Sequence, residues 1–278
     1  MSFTNGESWV VLSEIEQRIK AKIEAIGTPL KDWDINIYRG VLTGFNEAFI
    51  INGQKKDEIL ANCKDDAERI KTDELIRPIL RGRDIKRYSY EFADLWLINT
   101  HNGLKEKDIK PINIDDYPAV KQHLDKYFPQ LEKRQDKGDT PYNLRNCAYI
   151  EDFYKQKIIY SELSQGSCFI LDDTCKMFIL QTGYIIVGNK LEYLLALLNS
   201  KLIEWAFRKF YSIELGESAV RWLKQYVENL PIPKANQISE NKLKNLILLK
   251  EYNKIDEYVY EIFELSTEEI NRIKNDRT

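Results

Sequence analysis

An α+β fold is what this 278-residue sequence predicts: small mixed, mostly antiparallel sheets with flanking helices, plus helical N- and C-terminal extensions. Three observations predict it. Short apolar runs crowd between residues 157 and 187, each broken by turn residues, which marks strands joined directly rather than through crossover helices. Elsewhere in the middle of the chain strand-like and helical patterns alternate irregularly, which disfavours a doubly wound sheet. Apolar residues at helical spacing bracket this region on both sides.

The elements follow in order. Ser13-Glu14-Ile15-Glu16 has the form of a capping box, and Leu12, Ile15, Ile19, Ile23 and Ile26 recur at helical spacing until Gly27 and Pro29 stop them. That stripe must bury, against its own domain or against a partner. Residues 33–51 read as strand, turn, strand, the turn being Thr43-Gly44-Phe45-Asn46 and the second strand Ala48–Ile51. Ile59–Asn62 and Asp66–Ile79 are expected helices, and Leu95–Asn99 a strand. Asp115–Arg134 is expected as a helix starting after Pro118, burying Val120, Leu124, Tyr127 and Leu131. The polar stretch Gln135–Asn143, with Gly138 and Pro141, is expected as an exposed loop. Strands follow at Lys157–Leu163, Cys168–Leu171, Phe178–Leu180 and Tyr184–Val187. Helices follow at Leu191–Phe210, Ala219–Val227 and Lys242–Phe263, and Ser266-Thr267-Glu268-Glu269 caps a short last one. The expected organisation is a helical lead-in (1–28), one main domain (29–235, left at Pro231 and Pro233) and a helical tail (236–278).

Charge decides what such a chain can bind. The formal net charge is −3, which argues against indiscriminate attraction to polyanions. The distribution is uneven, however: Arg69 to Arg87 holds seven cations against three acids, whereas residues 236–278 hold seven cations against nine acids. A basic face in the middle of the chain is therefore expected, with a neutral-to-acidic tail turned elsewhere. Cys63, Cys147, Cys168 and Cys175 form no close pair, and only His101 and His123 could supplement them, so no zinc site is expected and the thiols read as reduced. Met1–Val10 lacks the basic start and apolar core of a signal peptide, and no apolar run approaches the roughly 20 residues that span a bilayer. A cytoplasmic protein with no membrane partner is the expectation.

Five signatures occur in sequence: YRGVLTGFNEAFII (Tyr38–Ile51), LRGRDIKRY (Leu80–Tyr88), QKIIYSEL (Gln156–Leu163), LLALLNSKL (Leu194–Leu202) and NLPIP (Asn229–Pro233). As an ordered set over about residues 30–235 they resemble the TaqI-like C-terminal specificity domain of adenine-specific DNA methyltransferases and type IIG restriction–modification enzymes. The resemblance implies a reader of DNA sequence that is not catalytic alone. Its implied partners are double-stranded DNA and a methyltransferase catalytic domain or subunit. S-adenosylmethionine, and Mg2+ where the parent also cuts, would belong to that parent and not to this chain.

The residues themselves agree. No Gly-rich cofactor loop and no (Asn/Asp)-Pro-Pro-(Tyr/Phe) motif is present, and Asn229–Pro233 separates its prolines, so base methylation by this chain alone is not expected. No Gly-x-Ser-x-Gly elbow or P-loop occurs. Two alternatives remain in view: a metal-dependent endonuclease using Asp84-Ile85-Lys86, or Glu151-Asp152 followed by Lys155, Lys157 and Glu162, and a helical protein-interaction scaffold. For DNA reading, Arg or Lys can pair with guanine and Asn or Gln with adenine, while other cations hold phosphates. The candidates are Arg39, Thr43 and Asn46 around the first turn; Arg81, Arg83, Lys86 and Arg87 around Gly82, with Asp84 expected to orient a neighbouring arginine; Gln135, Lys137, Tyr142 and Arg145 in or beside the 135–143 loop; and Lys155 and Lys157. Arg208, Lys209, Arg221 and Lys224 lie near the late helices. A motif shared by readers of different sites cannot encode which site is read, so the loop is the expected seat of specificity.

Overall fold

A two-faced sheet organises the molecule. The computed structural model describes residues 12–212 and 219–276. Its central sheet has four antiparallel strands in the spatial order Phe169–Asp172, Lys157–Ser161, Gly183–Gly188, Ile35–Arg39. Side chains alternate across a strand, and here both faces are apolar. Ile37, Ile158, Tyr160, Phe169, Tyr184 and Ile186 point into one core. Ile159, Ile170, Ile185 and Val187 point into another. The register makes this consistent, pairing Ile186 with Ile37 and with Ile158 on one face, and Ile185 with Ile159 on the other. A strand buried on both sides reads as a continuous apolar run, which is why Ile158–Tyr160 and Tyr184–Val187 stand out in the sequence.

The first core is helical. Leu191–Leu198 and Lys201–Ala206 lie against the sheet with the lead-in helix Glu14–Ile26 and the tail helices Gln237–Leu248, Tyr252–Ile262 and Thr267–Asn275. The lead-in stripe buries Ile19 and Ile23 completely, against this chain's own helices. Ion pairs sew the ends together: Arg18 to Glu268 at 2.7 Å, Lys22 to Glu269 at 2.8 Å and Arg272 to Glu16 at 2.7 Å. The strand Thr28–Pro29 pairs with Pro231–Ile232, so the residues just after the lead-in helix and just before the tail are hydrogen-bonded neighbours.

The second core is held by another four-stranded sheet, in the order Phe178–Ile179, Ile76–Leu80, Leu95–Ile98, Ile50–Asn52. Only its Phe178–Ile179 pairing is parallel. Helices Gly53–Ala61, Asp66–Leu75, Pro118–Asp125 and Phe128–Lys133 cover it. The α+β class, the mostly antiparallel pairing and the helices at both ends are thus all present.

Several boundaries differ from the sequence reading. Ala48–Ile51 is not a strand: Asn46–Phe49 is a helical turn, and the strand begins at Ile50. The helix from Asp66 stops at Leu75 because Ile76–Leu80, containing Pro78, joins the second sheet. Asp115–Arg134 breaks after Asp125, where Pro129 starts a new helix at Phe128. Leu191–Phe210 breaks where the Ser200 hydroxyl caps Lys201–Ala206. Ala219–Val227 is mostly not helical, since Val220–Arg221 pairs with Leu163–Ser164. Lys242–Phe263 is two helices, split by Lys250 at φ 56. In each case a local cap, a proline or a strand partner overrides apolar periodicity.

Candidate nucleic-acid interface

The signatures meet at one end of the central sheet. Arg39 ends its strand opposite Tyr184, and Ser161 pairs with Gly183 on the other side. Gly40 donates its N–H to the Gly183 carbonyl at 2.9 Å, and Glu162 donates to the Thr182 carbonyl at 2.9 Å. No side chain fits at Gly40, where a Cβ would overlap the backbone carbonyls of Ile179 and Leu180. The turn at Gly82 presses as closely on the Ser161 hydroxyl. The YRG, RGRD and SEL segments are therefore packed edge to edge and form a rim at this end of the sheet.

Glu162 is the hub of that rim. Arg221 donates Nε and an Nη to its Oε1 at 3.1 and 2.9 Å. Arg39 reaches Oε2 at 3.3 Å while giving its Nε to the Gln181 carbonyl at 2.7 Å. Both arginine side chains remain about half exposed, at 57% and 49%, over a carboxylate that is 15% exposed.

The 81–87 cluster divides by role. Arg81 is locked to Asp84 through Nε and Nη, the Nη bond being 2.7 Å. Burial pushes the Asp84 carboxyl up, but bonds from the Arg81 side chain and backbone outweigh it and hold the carboxyl below its ordinary value. The expected orienting role of Asp84 is what this geometry provides. Arg83 is exposed and meets no carboxylate among the described residues. Lys86 is exposed, bonding the Arg83 carbonyl at 3.2 Å. Arg87 turns inward, to the Asn199 carbonyl at 2.9 Å and to Asp256, which fastens a tail helix instead of facing solvent.

A cleft of about 330 Å³ opens beside the rim, lined among others by Arg39, His101, Arg145, Asn146, Tyr149 and Gln181. It brings together Arg39 and Arg145, which are far apart in sequence. Tyr149 stacks on Tyr38 with ring centroids 4.3 Å apart. Burial pushes the Cys147 thiol in this wall up to about 11, so it stays protonated and unreactive near neutral pH.

The 135–143 loop is anchored rather than loose. Asn143 is buried and donates to the Ile112 carbonyl at 2.9 Å. The buried Arg134 guanidinium donates to the Thr43, Pro141 and Asn143 carbonyls and lies over the Phe49 ring. On this frame Gln135 is exposed, Lys137 bonds the Glu132 carbonyl at 2.6 Å, and Arg145 pairs with Asp136 at 3.1 Å. Tyr142 points back to Asp125 and packs on Phe128.

Two of the candidates cannot contact DNA. Lys157 is fully buried and pairs with Asp172 at 2.6 Å, because its alternating strand position points it inside. Thr43 is 1% exposed, and its hydroxyl is spent on the side chain of the exposed Asn46 and the backbone of Phe45. Lys155 remains exposed beside Asp152. Of the late cations, Arg208 and Lys209 are tied down by Glu204 and Asp276, Arg221 joins the rim, and Lys224 is exposed.

The acids that suggested a nuclease are separately neutralised: Glu151 by Lys107, Asp152 by Lys155 and Asp84 by Arg81. Among the described residues no three His, Cys, Asp or Glu side chains gather where a metal ion could be held. No helix among them is long and apolar enough to cross a membrane. The sequence reading gave Gln181 and Arg134 no functional role and weighed Glu162 only as an acid of the nuclease alternative. For Glu162 a signal existed, since it sits inside the QKIIYSEL signature; for Arg134, at the end of an ordinary amphipathic helix, none did.

The model of the TaqI-like C-terminal specificity domain matches residues 77–232, which contain the second to fourth signatures and most of the fifth; the first lies ahead of it. Solved structures share the fold. The type IIG restriction endonuclease BpuSI aligns with TM-score 0.58 and 16% identity over 94% of this chain and 31% of its own. The type IIL restriction-modification enzyme MmeI, solved in complex with DNA, aligns with TM-score 0.61 and 15% identity over 88% of this chain and 35% of its own. This chain thus spans about a third of the length of the solved chains it matches.

Proposed function

This chain belongs to the TaqI-like C-terminal specificity domain family, and from that premise we propose that it is the DNA target-recognition domain of a restriction–modification enzyme. The single observation that carries the reading is the convergence of Arg39 and Arg221 on Glu162 at one end of the central sheet, where the Gly82 turn packs on Ser161, beside a cleft lined by Arg39 and Arg145. The chain is acidic overall, so that concentration of cations is local, as a surface that engages one face of a duplex requires. Exposed and unpaired cations such as Arg83 hold phosphates and set register. Side chains on rigid mounts, with donors left over, read base edges. The anchored 135–145 segment supplies Gln135 and Arg145 for discrimination.

Catalysis belongs to a partner. The whole enzyme is an adenine-specific methyltransferase whose catalytic domain or subunit takes S-adenosylmethionine, and Mg2+ as well where it also cleaves. In this reading neither ligand is held by this chain: the cofactor-loop and base-holding motifs are missing from the sequence, and Asp84, Glu151 and Asp152 are each ion-paired. The test is a randomised-duplex selection with the full chain, joined to a salt titration. The expected outcome is one enriched sequence and an affinity that falls linearly in log salt. A flat selection with salt-independent binding would favour the scaffold alternative.

A further inference from the structure

We infer that Glu162 is the positioning residue of a two-arginine fork, formed by Arg39 and Arg221, that reads guanine edges in the major groove. This rests on the target-recognition reading above and names the device inside it. Glu162 is fixed in main chain as well as side chain. Its N–H goes to the Thr182 carbonyl at 2.9 Å, and its own carbonyl accepts from Trp222 at 2.7 Å. Trp222 is itself buried against Phe207 and Phe169. The carboxylate therefore stands on the sheet end as a rigid post.

Each arginine is tethered along one edge only. Arg221 spends Nε and one Nη on Oε1, and Arg39 spends Nε on the Gln181 carbonyl and one Nη on Oε2. A guanidinium has five N–H donors in a flat fork, so each retains outward donors in a plane its tether has already set. Guanine presents O6 and N7 to such a pair of donors, and this is the commonest specific arginine contact. Tethering also removes rotamer freedom before binding, which lowers the entropic cost of each contact. A phosphate could use the same donors, but it needs charge more than orientation, and Glu162 cancels one of the two positive charges. An arrangement that sacrifices charge to gain orientation suits a base edge.

The test compares the full chain with Glu162→Ala, Glu162→Gln, Arg39→Ala and Arg221→Ala in the same randomised-duplex selection and salt titration, each after its urea midpoint has been measured. Loss of either arginine is expected to flatten the preference for guanine at one base pair by roughly tenfold or more. Glu162→Ala is expected to flatten both positions while affinity for unrelated duplex holds or rises and the salt dependence steepens, because a negative charge has gone from a cationic rim. Glu162→Gln, whose single amide oxygen can accept from only one arginine while its NH2 faces the other, is expected to keep the guanine preference at one position and flatten it at the other. Should Glu162→Ala lower the urea midpoint, the same comparison is read from Glu162→Gln and Arg221→Lys, which keep the packing. Unchanged base preference in Glu162→Ala, or uniform weakening on every sequence in the arginine variants, would overturn the fork and leave phosphate holding in its place. If the unaltered chain selects no sequence, target recognition itself has failed, a result separable from failure of the fork.

Discussion

The two ends of the central sheet use the same chemistry to opposite purposes. At one end Lys157 and Asp172 face each other across neighbouring strands, both buried. All three Lys157 donors are satisfied, by Asp172 and by the Phe153 and Lys155 carbonyls. Asp172 also accepts from the Met177 N–H and the Thr174 hydroxyl. At the other end Arg39, Arg221 and Glu162 form a pairing in which the carboxylate is shielded and the cations stay half in water. A saturated pair can only hold the fold; an unsaturated one has donors to offer. On the proposed reading, the count of free donors, rather than charge or motif membership, separates structural from recognising cations in this molecule.

The widest separation of the two ends comes from Lys157→Met. Removing one partner of a buried ion pair typically costs about 3–5 kcal/mol, because the remaining charge stays buried. The expected outcome is a loss of that order in urea unfolding, while DNA affinity measured on the folded fraction is unchanged. A variant that folds as well as its parent but no longer binds would collapse the distinction.

Next in size is a change of preference at the rim's outer edge. Arg145 pairs with Asp136, and both are exposed; the frame beneath them is held by Arg134 and Asn143. Arg145→Ala should cost about 1–3 kcal/mol of discrimination at one base pair, seen as a changed consensus in the selection, with the urea midpoint unmoved. Gln135→Ala should act at a different position. A change at Arg134, by contrast, should lower stability, since three backbone carbonyls lose their donor.

How far the sequence foretold this division varies with the physics involved. Apolar alternation and capping boxes are local, so the α+β class and the ends of the lead-in and last helices were legible; Ser13 with Glu16 and Ser266 with Glu269 both close as capping boxes. Burial on both sheet faces was half legible: the apolar stretch Ile158–Tyr160 announces a covered strand but not which way the lysine before it points. The ion-pair partners of Arg39 and Arg221 lie 123 and 59 positions away along the chain, and nothing in spacing announces a contact that only sheet register creates. Thr43 illustrates the same limit, standing three residues before Asn46 in a turn that buries one and exposes the other.

Two histidines and three carboxyls give stability its pH dependence. His123 is buried, with Nε2 donating to the Ala48 carbonyl at 2.9 Å and Nδ1 without a partner. His101 accepts the Gly103 N–H on Nδ1 at 3.1 Å. Burial holds both imidazoles below their ordinary value of 6.5. The folded chain then binds fewer protons than the unfolded one, so stability is complete above about pH 6.5 and declines as pH falls below it. The carboxyls of Glu16, Asp84 and Glu269 are held below their ordinary values by their partners and contribute in the same sense, but only below about 4.5. Urea midpoints between pH 7 and 5 should therefore fall, and His123→Gln should flatten that slope. A midpoint unchanged down to pH 5 would mean that neither imidazole is buried neutral.

The smallest expected effect is also the one that divides the Arg81–Arg87 cluster most finely. Arg83 has no acid partner among the described residues, so on the proposed reading Arg83→Ala is expected to remove one phosphate contact and little else. Affinity should fall by up to about tenfold on every duplex alike, and the slope of log affinity against log salt should drop by about one. Arg81→Ala strips Asp84, which is 4% exposed, of its side-chain donors, so it should lower the urea midpoint as well as affinity. Measured side by side, the two neighbours differ by one property alone, whether the guanidinium has already found its carboxylate. If Arg83→Ala instead altered the selected sequence, a free cation would be reading bases, and the count of tethered and free donors would no longer sort this rim.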